Sequence, residues 1–289
     1  MRRRTALITH TGSDLPLWEA RSLDITVIPD RVLFGIEEFR NMTEITAEEF
    51  YEKMAVFQDL PTSSQPSTGD FMKAYRSAAA CADIEEILVL MITSKMSGCF
   101  RGAEAAAQMV KRQNLKKPVY VYDTGQCSHG MAQMVRAASD LADQGLGAEA
   151  IMEELDRLQS RMGVYFVLHS LENARKGGRV GIVKAAAADM LGIKPVLQFA
   201  DGLVSQCGTA RNFDVGLDEV AERFEREGEP DLLVTVFHGG APEQAESLRQ
   251  KILSRVPEAD IRVEPVGPVI GIYAGAGCAG AAFTKKENL

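Results

Sequence analysis

Paired cysteines, nucleotide motifs and long apolar runs are all missing from this 289-residue chain. Cys81, Cys99, Cys127, Cys207 and Cys278 are odd in number, widely spaced and never in a Cys-x-x-Cys pair. That pattern signals neither a disulfide framework nor a zinc ribbon, and it points to a reducing cytoplasm. No segment has the Gly-x-x-x-x-Gly-Lys-Ser/Thr spacing of a phosphate-binding loop, so ATP binding by this chain alone is not expected. No Gly-x-Ser-x-Gly elbow is present to carry a serine hydrolase. Met1-Arg2-Arg3-Arg4 is basic, but the apolar run behind it is only Ala6-Leu7-Ile8, so no export signal is expected. Runs such as Ile87 to Ile92 fall far short of the about 20 residues that cross a bilayer, which excludes an integral membrane protein.

Positive charge is also in deficit. With 32 Lys and Arg against 40 Asp and Glu, the net charge of −8 argues against a surface for nucleic acid. His10, His129, His169 and His238 stand far apart with no pair at ligand spacing, so each reads as a surface or capping residue and no metal is expected.

What is present reads as a soluble α/β protein of two domains. Strand-like runs at Thr5–Thr9, Asp24–Ile28, Ile87–Ile92 and Val119–Tyr122 alternate with helical patterns at Thr46–Val56, Thr68–Ala80 and Gly98–Lys111, the order of a parallel, Rossmann-like layer. Thr46 with Glu49 forms a capping box, and Ala103, Ala106, Ala107 and Val110 form an apolar stripe. A further helix is expected over Ala148–Gln159. Beyond it, Pro195–Phe199, Asp201-Gly202 and Leu203–Gln206 read as two strands joined by a two-residue turn, which brings in antiparallel pairing. Helices are expected at Leu217–Glu227 and Pro242–Val256, and strands at Leu232–Phe237, Ile261–Pro265 and Val269–Tyr273. The boundary is placed near residues 158–163. Residues 1–160 form the N-terminal α/β domain, and residues 161–289 a C-terminal α/β domain with a mixed or antiparallel sheet.

Four segments are rich in hydroxyls, glycines or positive charge. Pro61 to Ser67 reads either as a turn that starts the next helix or as a loop that offers a hydroxyl to an anion at the edge of the sheet. Ser97-Gly98 follows a strand and opens a helix, as an ordinary cap or as an anion site. Arg175-Lys176-Gly177-Gly178-Arg179 reads as a solvated loop, an interdomain tether or a docking patch. Gly275-Ala276-Gly277-Cys278-Ala279-Gly280 has the letters of a dinucleotide fingerprint, but Leu289 ends the sequence before the ribose-binding acid is due, so a tight turn is expected instead.

In order along the chain, these segments resemble the DegV family of bacterial fatty-acid-binding proteins. Thr9-His10-Thr11-Gly12-Ser13-Asp14-Leu15-Pro16 resembles the family's Asp-Ser-Thr-Ser-Asp-Leu-Pro, and the Ser63–Ser67 run its Thr-Ser-Gln-Pro-Ser. Ser94-Lys95-Met96-Ser97-Gly98-Cys99 is similar to Ser-Ser-Lys-x-Ser-Gly-Thr, and Gly177-Gly178-Arg179 recurs in the family after a leucine-containing helix, here Leu171. The tail from Pro268 to Gly277 resembles Pro-Val-Ile-Gly-x-His-x-Gly-Pro-Gly. The chain departs from this pattern at His10 and Asn41, each in place of an aspartate, at Cys99 in place of threonine, and at Tyr273 in place of histidine.

The resemblance implies a carrier with no catalytic residues and no cofactor, enclosing one long-chain fatty acid between its domains. It implies carboxylate binding by Ser63, Ser97, Arg211 and Tyr273, with supporting loops at Ser64, Gly98, Gly275 and Gly277. A separate fatty acid kinase would form the acyl phosphate, with Arg175, Lys176 and Arg179 as its docking patch; contact with a membrane surface would be transient. Burying about 15 methylenes at about 0.8 kcal/mol each far exceeds the about 1 kcal/mol of each head-group hydrogen bond. An apolar tunnel is therefore expected, with candidates Phe166, Leu168, Ile182, Met190, Leu191, Ile193 and Phe199, each of which reads equally well as ordinary core. The rival readings are an enzyme that uses Ser97 or Tyr273 on a small acyl or carbonyl substrate, and a regulator that responds to lipid.

Overall fold

The computed structural model describes residues 3–179, 193–228 and 233–286. Its first layer is a parallel sheet in the order β2-β1-β6-β7, formed by β1 (Thr5–His10), β2 (Ile25–Ile28), β6 (Glu86–Met91) and β7 (Val119–Asp123). In β6, Ile87, Leu88, Val89, Leu90 and Met91 are all buried, as expected of a central parallel strand covered on both faces. The helices of this layer are α1 (Leu17–Ser22), α3 (Thr68–Ala80), α4 (Cys99–Arg112), α5 (Ser128–Asp143) and α6 (Ala148–Arg161), while α2 (Ala47–Val56) packs Phe50 and Tyr51 into a separate cluster with Val32 and Phe34. The expected capping box of α2 is present, with Thr46 and Glu49 bonded reciprocally, and Ser67 and Asp70 form a second one on α3.

A small antiparallel sheet, β4-β3-β5, joins β3 (Arg31–Phe34), β4 (Glu37–Arg40) and β5 (Thr62–Ser64). None of the three is evident in the sequence pattern. Strands of three or four residues carry too few alternations to reveal a period of two.

The larger sheet is mixed, in the order β10-β9-β8-β13-β11-β12. Its strands are β8 (Met162–Val167), β9 (Lys194–Ala200), β10 (Leu203–Ala210), β11 (Val234–His238), β12 (Ile261–Pro265) and β13 (Ala279–Thr284), all antiparallel to their neighbours except the β11–β12 pair. α7 (Glu172–Lys176), α8 (Phe213–Glu227), α9 (Pro242–Arg255) and α10 (Pro268–Ala274) complete the chain. Asp201 and Gly202 both have positive φ, 52° and 75°, as a tight hairpin turn between β9 and β10 requires.

The expected strand over Val269–Tyr273 is instead helix α10. Pro268 at its first position has the φ a helix start needs, and Gly271 lets the helix lie against Phe50 and Tyr51, where a Cβ would stand 2.6 Å from the Tyr51 hydroxyl. The glycine run therefore has a helix before it and a strand, β13, after it, the reverse of a dinucleotide fold. Leu232 lies outside the described residues, and the strand expected there begins at Val234.

The two layers are tied through Glu19 of α1. Its carboxylate accepts from Arg136 of α5 at 2.9 and 2.7 Å and from Arg262 of β12 at 2.8 and 3.0 Å. A second tie joins the loop after β6 to the β9–β10 turn, where Thr93 Oγ1 donates to Gly202 O at 2.9 Å and Lys95 Nζ to Asp201 O at 2.6 Å.

Candidate functional site

Loops at the carboxyl ends of β1, β6 and β7 meet the inner face of the mixed sheet around a cavity of about 410 Å³. Its walls are mostly apolar, with Phe166, Leu168, Leu197, Phe199 and Phe237 from the mixed sheet side and Val269 and Ile270 from α10. The polar lining includes Ser63, Ser64 and Gln65, Ser97 and Gly98, His10, Asp30 and Tyr273.

Of the residues singled out in the sequence, Ser63, Ser64, Ser97, Gly98, Tyr273 and Arg179 come together at this cavity. Ser63 stands on β5, paired with Val32, and its Oγ lies 2.9 Å from the Tyr273 hydroxyl. One of these two protons is used in the mutual bond, which leaves the other to donate elsewhere. The N-cap of α4 is Gly98 rather than Ser97, but Ser97 Oγ accepts from the Cys99 amide, the first of the helix, at 3.1 Å, and its own hydroxyl proton stays available. The two loops touch through Gln65. A Cβ at Gly98 would stand 3.1 Å from its Oε1, and one at Gly102 3.0 Å from its Nε2.

The Gly-Gly-Arg segment also has a place here. Gly177 lies flat on the Tyr273 ring, with a Cβ position 2.5 Å from Cδ1, Gly178 has φ 71°, and the Arg179 guanidinium covers the ring at 4.9 Å from its centre. Arg179 thus lies over the ring while Arg175 and Lys176 face solvent, Lys176 paired with Glu172 at 2.7 Å. Arg211 is exposed after β10 and is not among the lining residues. Gly275 ends α10 with φ 77°, and Gly277, with φ 80°, donates its amide to Gly239 O; the two form the turn into β13 and are also absent from the lining. Of the tunnel candidates, Phe166, Leu168 and Phe199 line the cavity, Ile193 does not, and Ile182, Met190 and Leu191 lie outside the described residues.

Sequence reasoning missed the opening of α5. Cys127, Ser128, His129 and Gly130 line the cavity, and Ser128, at φ 49°, donates to Asp14 Oδ2 at 2.6 Å. Burial pushes the Asp14 carboxyl up to about 7, against the hydrogen bond from Ser128. His129 is not the surface residue its isolation in the sequence implies. It is fully buried, stacks on Phe237 at 5.5 Å and bonds Pro265 O through Nε2 at 3.0 Å. Burial, reinforced by Arg136, pulls its pKa down to about 3, so the ring is neutral and donates from Nε2. His238 matches the capping expectation, accepting from the Ala241 amide through Nδ1.

A second, polar cleft lies between the two layers and includes Lys95, Asp123, Asp156, Gln159 and Gln198. Val164 and Phe199 line both spaces and form a shared wall.

Fold and cavity define a class: an α/β protein that joins a parallel layer to a mixed sheet around one apolar space with hydroxyls in its lining. The chain belongs to the DegV family, whose model, described as a family of uncharacterised proteins, matches residues 4–286. A DegV domain-containing protein of Halalkalibacterium halodurans is 30% identical over 282 residues, covering 97% of this chain and 98% of the relative. Among solved structures, a DegV family protein of Thermus thermophilus, described for its fatty acid binding, is 33% identical with a TM-score of 0.88, covering 97% of this chain and 99% of that one. DegV of Bacillus subtilis, described as a fatty acid binding protein, shares the fold at 24% identity and a TM-score of 0.83, covering 99% of this chain and all of the other.

Proposed function

We propose that this chain binds one long-chain fatty acid in the cavity and presents its carboxylate to a separate fatty acid kinase in the cytoplasm. The observation that carries this reading is the cavity itself: a mostly apolar space with the Ser63–Tyr273 hydroxyl pair and Ser97 in its lining. Residues 1–160 act as the domain that supplies the serine loops, and residues 161–289 as the domain that covers the acyl chain and adds Tyr273. The free protons of the Ser63–Tyr273 pair and of Ser97 are the donors to the carboxylate, Ser64 and Gly98 shape their loops, and Gly275 and Gly277 hold the end of α10. Arg179 offers the nearby positive charge, a part that the sequence reading gave to Arg211. Arg175 and Lys176, exposed beside it, are the docking patch for the kinase, with transient contact at a membrane surface during loading.

Affinity comes from the tail and orientation from the head. About 15 buried methylenes at about 0.8 kcal/mol each outweigh two or three hydrogen bonds of about 1 kcal/mol. The missing phosphate-binding loop supports a carrier whose chemistry is done by another protein.

Native mass spectrometry of gently purified protein tests the reading. One fatty acid per chain, or uptake of one on addition, is the expected result. Preparations that stay empty after palmitate is added would overturn it. Incubation of the loaded chain with ATP alone should give no acyl phosphate.

A further inference from the structure

His10, Asp30 and Cys99 span 89 positions of the chain, yet their donor atoms all lie within 4.8 Å of one another in the buried interior. His10 ends β1, Asp30 follows β2 and Cys99 opens α4, so the carboxyl edge of the parallel sheet brings them together. His10 Nδ1 stands 2.8 Å from Asp30 Oδ2 and 3.8 Å from Cys99 Sγ. His10 and Asp30 also line the cavity. No spacing in the sequence reveals this set, because each ligand lies at or beyond the end of a different strand of the parallel sheet.

We propose that His10, Asp30 and Cys99 bind a divalent cation of zinc-like character, with the fourth position open to the cavity. Thiolate, imidazole and carboxylate are the ligand types that zinc favours, and three protein ligands plus one open position is its habitual arrangement where another molecule completes the shell. A tetrahedral ion with bonds of about 2.0 to 2.3 Å needs donor atoms between about 3 and 4 Å apart, close to the separations found. An outer partner is also in place. Thr11 Oγ1 donates to Asp30 Oδ2 at 2.7 Å and accepts from the Asp30 amide at 2.9 Å, which fixes the carboxylate. Loading Nδ1 with metal gives up two long hydrogen bonds, from the Gly12 amide to Nδ1 and from the Ile92 amide to Nε2, each at 3.3 Å. The identity of the fourth ligand rests on the fatty-acid reading: it is the carboxylate of the bound acid.

Cobalt titration of the full chain tests the site. One equivalent of Co²⁺ should give a thiolate-to-cobalt charge-transfer band with the strong visible bands of tetrahedral geometry, and Zn²⁺ should displace it. The band should be lost in Cys99→Ser and weakened at least tenfold in affinity in His10→Asn, while Cys127→Ser and Cys278→Ser keep it. Zn²⁺ should raise the melting temperature of the parent protein and not that of Cys99→Ser, a readout that stands if either variant is itself less stable. A band that survives Cys99→Ser, or no band at all, would overturn the site. Palmitate should shift the band; a band indifferent to palmitate in protein that takes up palmitate overturns the open position. Palmitate binding with no cobalt band sinks the metal site alone, and a cobalt band in protein that never takes up palmitate sinks the fatty-acid reading alone.

Discussion

Tyr273 and Ser63 share one hydrogen bond at 2.9 Å, so removing either hydroxyl breaks the bond that orients the free proton of the pair and leaves the partner unpaired. Tyr273→Phe should weaken fatty acid binding about 5- to 10-fold, equivalent to about 1 kcal/mol, with melting temperature nearly unchanged. Displacement of a fluorescent fatty acid measures it, and an unaltered affinity would remove Tyr273 from the head-group site. Asp14 makes a second prediction at this scale. Burial holds its carboxyl at about 7, with Ser128 opposing and Asp30 adding to the rise. The folded protein therefore keeps a proton that the unfolded chain releases near pH 4. Its contribution to stability is greatest below pH 4 and falls as pH rises towards 7, by on the order of 4 kcal/mol. Asp14→Asn should remove that slope from urea unfolding measured between pH 4 and 8; a parallel pair of curves would refute the shift.

At the scale of elements, the close contacts involve glycine. Gly202 holds the β9–β10 turn at φ 75° with its Cβ position 2.7 Å from Thr93 Oγ1, the atom that bonds its own carbonyl. Gly202→Ala should cost about 1 to 3 kcal/mol and loosen the loop that leads to Ser97, read as faster amide exchange over residues 93–98. The same scale shows where sequence reading succeeds. The strands β1, β6 and β7 and the helices α2 to α4 are legible because each carries several periods of its apolar pattern or a capping box. Val269–Tyr273 is not, since four apolar residues around a glycine fit a short strand as well as one and a half turns of helix, and the decision falls to Pro268 and to contact with Phe50 and Tyr51. The serine pair was visible as two hydroxyl-rich loops. The Arg179–Tyr273 contact and the opening of α5 were not, because they depend on which distant elements face the same space.

For the molecule as a whole, one carboxylate stands between the layers. Glu19 is largely buried; burial alone raises its pKa, but Arg136 and Arg262 outweigh this and hold it below its ordinary value. Glu19→Gln leaves two guanidinium groups without their anion and should destabilise the chain by about 3 kcal/mol, measured by chemical unfolding. Because the folded-state pKa is depressed, the contribution of Glu19 is present above its unfolded pKa near 4.5 and is lost as pH falls through the folded value. The wall formed by Val164 and Phe199 has a consequence at the same scale. It makes the apolar space a room with a thin partition, so escape on that side depends on the posture of one aromatic ring and one branched side chain. Residence time and affinity then separate: trimming Phe199 should shorten a guest's stay more than the lost contact area alone accounts for, because it turns a dead end into a corridor.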